Sequence, residues 1–363
     1  MKRTCIAVVW SVVFGLGFAS ALTADEAWNF AVICDTRDGN EAYVLNKKGV
    51  NVKVLASMAQ AIVANRCELV LVPGDMVNGA ALSDESTETY AASFALWRAT
   101  LAPVYDAGIR VYPVRGNHEN GKFKVMKAAG GDAPPGSPAS ARRKIPATKP
   151  VPNLLQAYQN AFKDPYLPTN GPAGEVGLTY SFTWRNALFV GLDEYVTPQR
   201  VNQPWLDAQL SNPAQPHVFV YGHEPAFQVN HADCLAWFPS ERDVFWNSLG
   251  RAGVRIYFSG HDHLYNRAMI KDAEGHEIQQ VVTGSGGAPI REWKGSYSEG
   301  DRVKGLYHDH VHVGFVVVTV SNLSVTMNWK ATGAEHPAEW KTLDTFSYTV
   351  PPRAEPPKAA ASP

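Results

Sequence analysis

Five short apolar runs in this chain each stop abruptly at small residues and a side chain able to bind a metal ion. They end at Asp35, Gly74-Asp75, Gly116-Asn117-His118, Gly222-His223 and Gly260-His261-Asp262-His263. Short apolar runs bounded by turn residues predict buried strands, here residues 30–34, 68–72, 109–114, 217–221 and 254–258. Between the first three runs lie stretches with helical spacing, residues 50–64 and 87–105. The first of these places Val54, Leu55, Met58, Ala61 and Ile62 on one face. Strands that alternate with helices imply parallel βαβ units, and in such sheets ligands bind beyond the carboxyl ends of the strands. The polar clusters sit at those ends.

The rest of the chain frames this core. A helix is predicted at 153–162, and two strands at 178–184 and 187–192 joined by a turn at Arg185-Asn186. Helical stretches follow at 205–210 and 242–249, then mostly antiparallel strands over 267–327. Residues 129–152, rich in Gly, Pro, Ala and Ser, read as a flexible surface insertion, and the Pro- and Ala-rich residues 351–363 as a disordered tail. At the other end, Lys2 and Arg3 precede an uncharged apolar run over 5–18 and then Ala19-Ser20-Ala21. This is the pattern of a signal peptide, residues 1–21, cleaved after Ala21. The run is shorter than the ~20 residues a spanning helix needs. The expectation is therefore an exported protein, periplasmic or secreted, with one domain over 25–350 and no membrane attachment once the signal is removed.

A formal net charge of −1 leaves no electrostatic footprint for nucleic acid. Cys34, Cys67 and Cys234 remain after cleavage, an odd number without a Cys-x-x-Cys pair, so neither a disulfide framework nor a thiolate zinc site is expected. Carboxylate, carboxamide and imidazole suit borderline and harder metal ions, and a thiolate-free set points to a catalytic rather than a closed structural site. Two adjacent ions can neutralise the oxygens of a phosphate ester and acidify a bound water; a single carboxylate between them can bridge both.

Taken singly, Asp75 could be a helix cap, Asn117 a turn residue and His223 a core histidine. In order, the series Asp35, Gly74-Asp75, Gly116-Asn117-His118-Glu119, Gly222-His223 and Gly260-His261-Asp262-His263 resembles the calcineurin-like metallophosphoesterase superfamily. Its Gly-Asn-His-Glu form is similar to the purple acid phosphatase branch. The resemblance implies a four-layer α/β/β/α sandwich with two mixed β-sheets. It implies that Asp75 bridges two metals, that Asp35 and His263 bind the first, and that Asn117, His223 and His261 bind the second. His118 would contact the phosphate and donate a proton to the leaving oxygen. The expected cofactors are two divalent or mixed-valence ions (Fe, Zn, Mn or similar), and the expected substrate is a small phosphoester. A phosphomonoesterase is favoured over a phosphodiesterase of the same fold, or a binding protein that has lost catalysis.

Two positions depart from the family pattern. Asp35-Thr36-Arg37 has arginine where many members carry a metal-binding histidine, and a guanidinium has no acceptor atom to ligate with. Asn78 stands where the purple acid phosphatase branch has a ligating tyrosine. Three arrangements follow. The first metal could bind weakly, with Asn78 or water filling the gap; the site could work with one metal; or Arg37 could hold a phosphate oxygen. A dinuclear site with a weaker first position is the expectation carried forward. Outside this series, His308, His310 and His312 would share one face if they lay on a strand, and Gly284-Ser285-Gly286-Gly287 reads as a tight turn near the site.

Overall fold

The computed structural model describes residues 27–39, 49–126, 145–196 and 200–351. The expected signal peptide, residues 129–144 of the expected insertion and residues 352–363 of the expected tail lie outside them. In chain order the elements are β1 (Trp28–Val32), α1 (Val52–Ala64), β2 (Cys67–Val72), α2 (Thr87–Thr100), α3 (Ala102–Asp106), β3 (Arg110–Pro113), α4 (Asn117–Asn120), β4 (Gly121–Met126) and β5 (Ile145–Pro150). They continue as α5 (Pro152–Ala161), β6 (Tyr180–Trp184), β7 (Ala187–Gly191), α6 (Gln203–Leu210), β8 (His217–Tyr221), α7 (Pro239–Arg251) and β9 (Ile256–Ser259). The last are β10 (Tyr265–Lys271), β11 (Glu277–Thr283), β12 (Val303–Asp309), β13 (Val313–Ser321), β14 (Ser324–Thr332) and β15 (Lys341–Thr349).

Two mixed sheets carry the fold, in the orders β15-β14-β13-β1-β2-β3 and β12-β10-β11-β9-β8-β7-β6. Strands β1, β2 and β3 run parallel, as do β7, β8, β9 and β11. Their inner faces meet in one aromatic-rich core. Phe30 of the first sheet packs edge-on against Phe219 and Phe189 of the second, with ring centroids 4.9 and 5.2 Å apart. The alternate side chains Ala31, Val70 and Val111 face outward and pack with Leu55 and Met58 of α1 and Trp97 of α2. On the far side, Val190 and Val220 pack with Leu206 of α6 and Trp246 of α7. The period-2 alternation of buried residues on both faces produces the expected helix–sheet–sheet–helix layering.

Three expectations are corrected. The helical stretch 87–105 is two helices, α2 and α3, that meet at Leu101, with Pro103 at the start of α3 where its missing N–H costs nothing. Residues 145–150, expected within a flexible insertion, form β5 and pair antiparallel with β4. Pro146 and Pro150 are tolerated there because each strand of a two-stranded ribbon has a free edge. Finally, β12 ends at Asp309, so His310 and His312 lie beyond the strand and the three do not share a strand face, although the His308 and His310 rings stack with centroids 5.9 Å apart. His312 lies in the following turn, with Nδ1 2.8 Å from Asp309 Oδ2, and the His308 ring packs on Trp293 with centroids 4.5 Å apart.

Candidate metal centre

The parallel strands deliver their polar ends to one place through unusual backbone. Asp35, Asp75 and His261 all have positive φ, at 53°, 52° and 68°. Non-glycine residues seldom adopt this left-handed region, and such outliers gather at functional sites. The glycines of the motifs make room for the acids. A Cβ on Gly116 would lie 2.2 Å from Asp75 Oδ1, and one on Gly260 would lie 2.3 Å from Asp35 Oδ2 and 2.0 Å from Cys34 Sγ. The carboxylates thus occupy the volume that any other residue would fill.

Glu119, wholly buried, ties the second and third motifs together. Its Oε2 accepts the N–H groups of Asp75 and Gly116, both at 2.8 Å, and its Oε1 accepts those of Met76 at 2.8 Å and Val77 at 3.1 Å. The sequence offered one cue to this role, an acid three residues after the cap of a short helix.

The side chains expected to hold the second metal converge. Asn117 Oδ1 lies 3.0 Å from both His223 Nε2 and His261 Nδ1, and His223 Nε2 lies 3.5 Å from Asp75 Oδ1. Each imidazole is oriented by its other nitrogen. His223 Nδ1 is 2.8 Å from Pro73 O, and His261 Nε2 is 3.4 Å from Asp233 Oδ1. Donation from Nδ1 to Pro73 O turns the Nε2 lone pair of His223 towards two oxygen acceptors. Acceptors facing acceptors at these distances call for a cation, so this position fits a metal ion. Burial opposes a charge on His261, but Asp233 outweighs it and raises the imidazole to about 10, so a metal ion bound at Nδ1 would displace a proton from the ring. Burial also opposes the Asp75 carboxylate; His223, His118 and Arg37 overcome it and hold that carboxyl below the usual range.

The first position is different. Ligand atoms of Asp35, Asp75 and His263 lie within 4.8 Å of one another, close enough to surround an ion. Arg37, only 5% exposed, reaches into this group. Its Nη2 lies 3.0 Å from His263 Nε2 and its Nε 3.3 Å from Asp75 Oδ2. His263 Nδ1 lies 3.1 Å from Pro289 O, which leaves Nε2 as the acceptor for Arg37. Asn78, expected as a substitute ligand, instead accepts from Arg37 Nη1 on its Oδ1 at 3.1 Å and donates from Nδ2 to Gly39 O at 2.6 Å. Two of the donors expected at the first metal are therefore already engaged by a fixed positive charge, and the set does not fit an ion as it stands.

His118 borders the site, with Nε2 3.9 Å from Asp75 Oδ2 and Nδ1 3.0 Å from Asn78 O. Burial and then the charge of Arg37 lower it to about 4, so the free ring is neutral and presents an Nε2 lone pair. His231 was not singled out by any motif, yet its ring centroid is 4.7 Å from that of His261. Asp262, the residue between the two motif histidines, places it by accepting the N–H groups of Asn230 at 3.0 Å and His231 at 2.9 Å. Arg115, just before Gly116, is buried in a paired contact with Asp193, at 2.6 and 3.0 Å, and positions the third loop rather than any ligand.

A family model described as calcineurin-like phosphoesterase matches residues 42–265. No curated protein resembles the chain closely enough in sequence to count as a match. Among solved structures, the purple acid phosphatase PPD1 of yellow lupin (Lupinus luteus) seeds superposes with a TM-score of 0.63 at 14% identity, over 89% of this chain and 54% of that one. This chain thus spans about half the length of that enzyme. PhoD superposes with a TM-score of 0.58 at 15% identity, over 89% of this chain and 70% of the other. A dimetal phosphatase of Danio rerio gives 0.54 at 15% identity, over 89% and 99%. At such identities these likenesses speak for the fold.

Proposed function

The chain belongs to the calcineurin-like phosphoesterase family, and from that premise we propose that this metallophosphoesterase is an exported phosphomonoesterase. The observation that carries the proposal is the close approach of Asn117 Oδ1 to His223 Nε2 and His261 Nδ1, both at 3.0 Å, and of His223 Nε2 to Asp75 Oδ1 at 3.5 Å. A nitrogen- and oxygen-donor set of this kind suits Zn, Mn or Fe. Bound there, such an ion would neutralise a phosphoryl oxygen and acidify a water. Arg37 adds a permanent positive charge beside Asp75, which favours a dianionic phosphate over the single charge of a diester. His118, its Nδ1 held on Asn78 O, takes up a solvent proton on Nε2 when the substrate dianion binds beside it, and hands that proton to the leaving oxygen. The Gly-Asn-His-Glu form supports the same preference.

Comparing the two nitrophenyl esters tests this directly. The monoester is expected to be turned over with kcat/KM at least about tenfold above that of the bis-ester, and chelation should abolish both. A bis-ester preference identifies a diesterase, and inertness towards both after metal reconstitution identifies a binding protein. Export rests on Lys2, Arg3 and the apolar run before Ala21. When the full chain is expressed in a bacterium, N-terminal sequencing of the exported protein should begin at Leu22; an intact Met1 in the cytoplasmic fraction rejects export.

A further inference from the structure

We propose that Arg37 stands in for the first of the family's two metal ions, so that the chain pairs one metal ion with one built-in guanidinium. The proposal rests on the metallophosphoesterase assignment and changes what that site contains. A dinuclear site with a weak first position was the expectation from sequence; the geometry points instead to a first position filled by the protein.

The first reason is the satisfaction of donors and acceptors. A guanidinium has five N–H donors and no acceptor. Arg37 directs them at His263 Nε2, Asp75 Oδ2, Asn78 Oδ1 and Asp38 O, at 3.0, 3.3, 3.1 and 3.1 Å. Four acceptors take four donors, which leaves one Nη2 hydrogen for a phosphoryl oxygen. Two of these acceptors belong to the residues expected to ligate the first metal, and a third belongs to the residue in the place of the family's tyrosine. Of that ligand set, only Asp35 Oδ1 remains without a hydrogen-bond partner among the described residues.

The second reason is that the guanidinium is anchored. The Arg37 N–H donates to Asp75 O at 3.2 Å, and Arg37 pairs with Val50 in an isolated antiparallel bridge. The side chain starts from a backbone tied to the bridging carboxylate itself. An incoming divalent ion would have to take His263 and Asp75 from Arg37 while sharing a buried space with its charge, which the low local dielectric makes repulsive. The third reason concerns charge. Ligand oxygens of Asp35 and Asp75 lie within 4.8 Å of each other, and both residues are buried. One guanidinium and one divalent ion suffice to neutralise these two acids with a positive charge to spare for substrate. The ligand implied is a phosphate monoester with one oxygen on the metal and another on Arg37.

The test counts ions in the full mature protein. Parent and Arg37→His are stripped with chelator, equilibrated with Mn2+, freed of excess ion and analysed for metal per chain by mass spectrometry. Electron paramagnetic resonance then separates isolated from exchange-coupled Mn2+. The expected result is one ion per parent chain with an isolated-ion spectrum, and two coupled ions in Arg37→His. Two coupled ions in the parent would overturn the proposal and leave the hydrolase assignment standing. No ion in the parent would instead overturn that assignment, and this proposal with it. One ion in a folded Arg37→His variant also counts against the proposal, because Arg37 would then not be what excludes the second. Should that variant fail to fold, the parent count and spectrum still decide.

Discussion

Replacing Asp75 by asparagine is expected to lower turnover of nitrophenyl phosphate by about 100- to 1,000-fold, the scale on which preorganised charge stabilises a transition state. Asp75 is the residue on which both halves of the site depend. Its Oδ1 accepts the His118 N–H at 3.0 Å and faces His223 Nε2 at 3.5 Å, while Oδ2 accepts from Arg37 Nε at 3.3 Å. A carboxamide removes the negative charge that a metal ion and the guanidinium share. It must also aim an NH2 group at either the His118 N–H or Arg37, donor against donor. The loss therefore combines weaker metal retention with a misplaced Arg37. Kinetics and metal content measured on the same preparation check it; activity within about tenfold of the parent means that Asp75 is peripheral.

Replacing Glu119 by glutamine is expected to cost about 2–6 kcal/mol of stability, although the side chain touches no expected metal ligand atom. Each of its oxygens accepts two backbone N–H groups from the Asp75 loop and Gly116. Glutamine turns one oxygen into a donor and strands two buried N–H groups, each costing about 1–3 kcal/mol. Against a typical total of about 5–15 kcal/mol this is a large share. Urea unfolding in the presence of chelator should show a lower midpoint with an unchanged slope. A midpoint equal to the parent's would mean that the four donors find other partners. Activity should fall as well, because the loop that loosens carries Asp75.

The residues legible from sequence were those whose role is set by the chain beside them. Asp75, Asn117, His223, His261 and His263 each follow an apolar run and a glycine, so strand, turn and ligand could be read together. The strand 217–221 was placed with the bounds it has as β8. The first strand was placed two residues late, because Ile33 and Cys34 are buried like strand residues while the pairing of β1 with β13 stops at Val32. What escaped was set by distant partners. The hold of Arg37 on His263 spans 226 positions, and nothing local distinguishes a guanidinium aimed at a ligand from one aimed at solvent. Glu119 reads in the sequence as part of a motif variant, and only the fold brings four N–H donors to it. His231 lies in a stretch without apolar periodicity and gains its position from Asp262, 31 residues away. Likewise, β5 was hidden by its prolines, since its partner β4 precedes it by a long connection.

The central claim is that Asp75, Asn117, His223 and His261 together hold a catalytic metal ion. Crystals grown with Mn2+ or Zn2+ and measured at the metal's absorption edge address it most directly. An anomalous peak about 2.0–2.3 Å from His223 Nε2, His261 Nδ1, Asn117 Oδ1 and an Asp75 oxygen is the predicted result. A map with the ion elsewhere, or with these four side chains hydrogen-bonded only to one another in protein that hydrolyses phosphate esters, would contradict it.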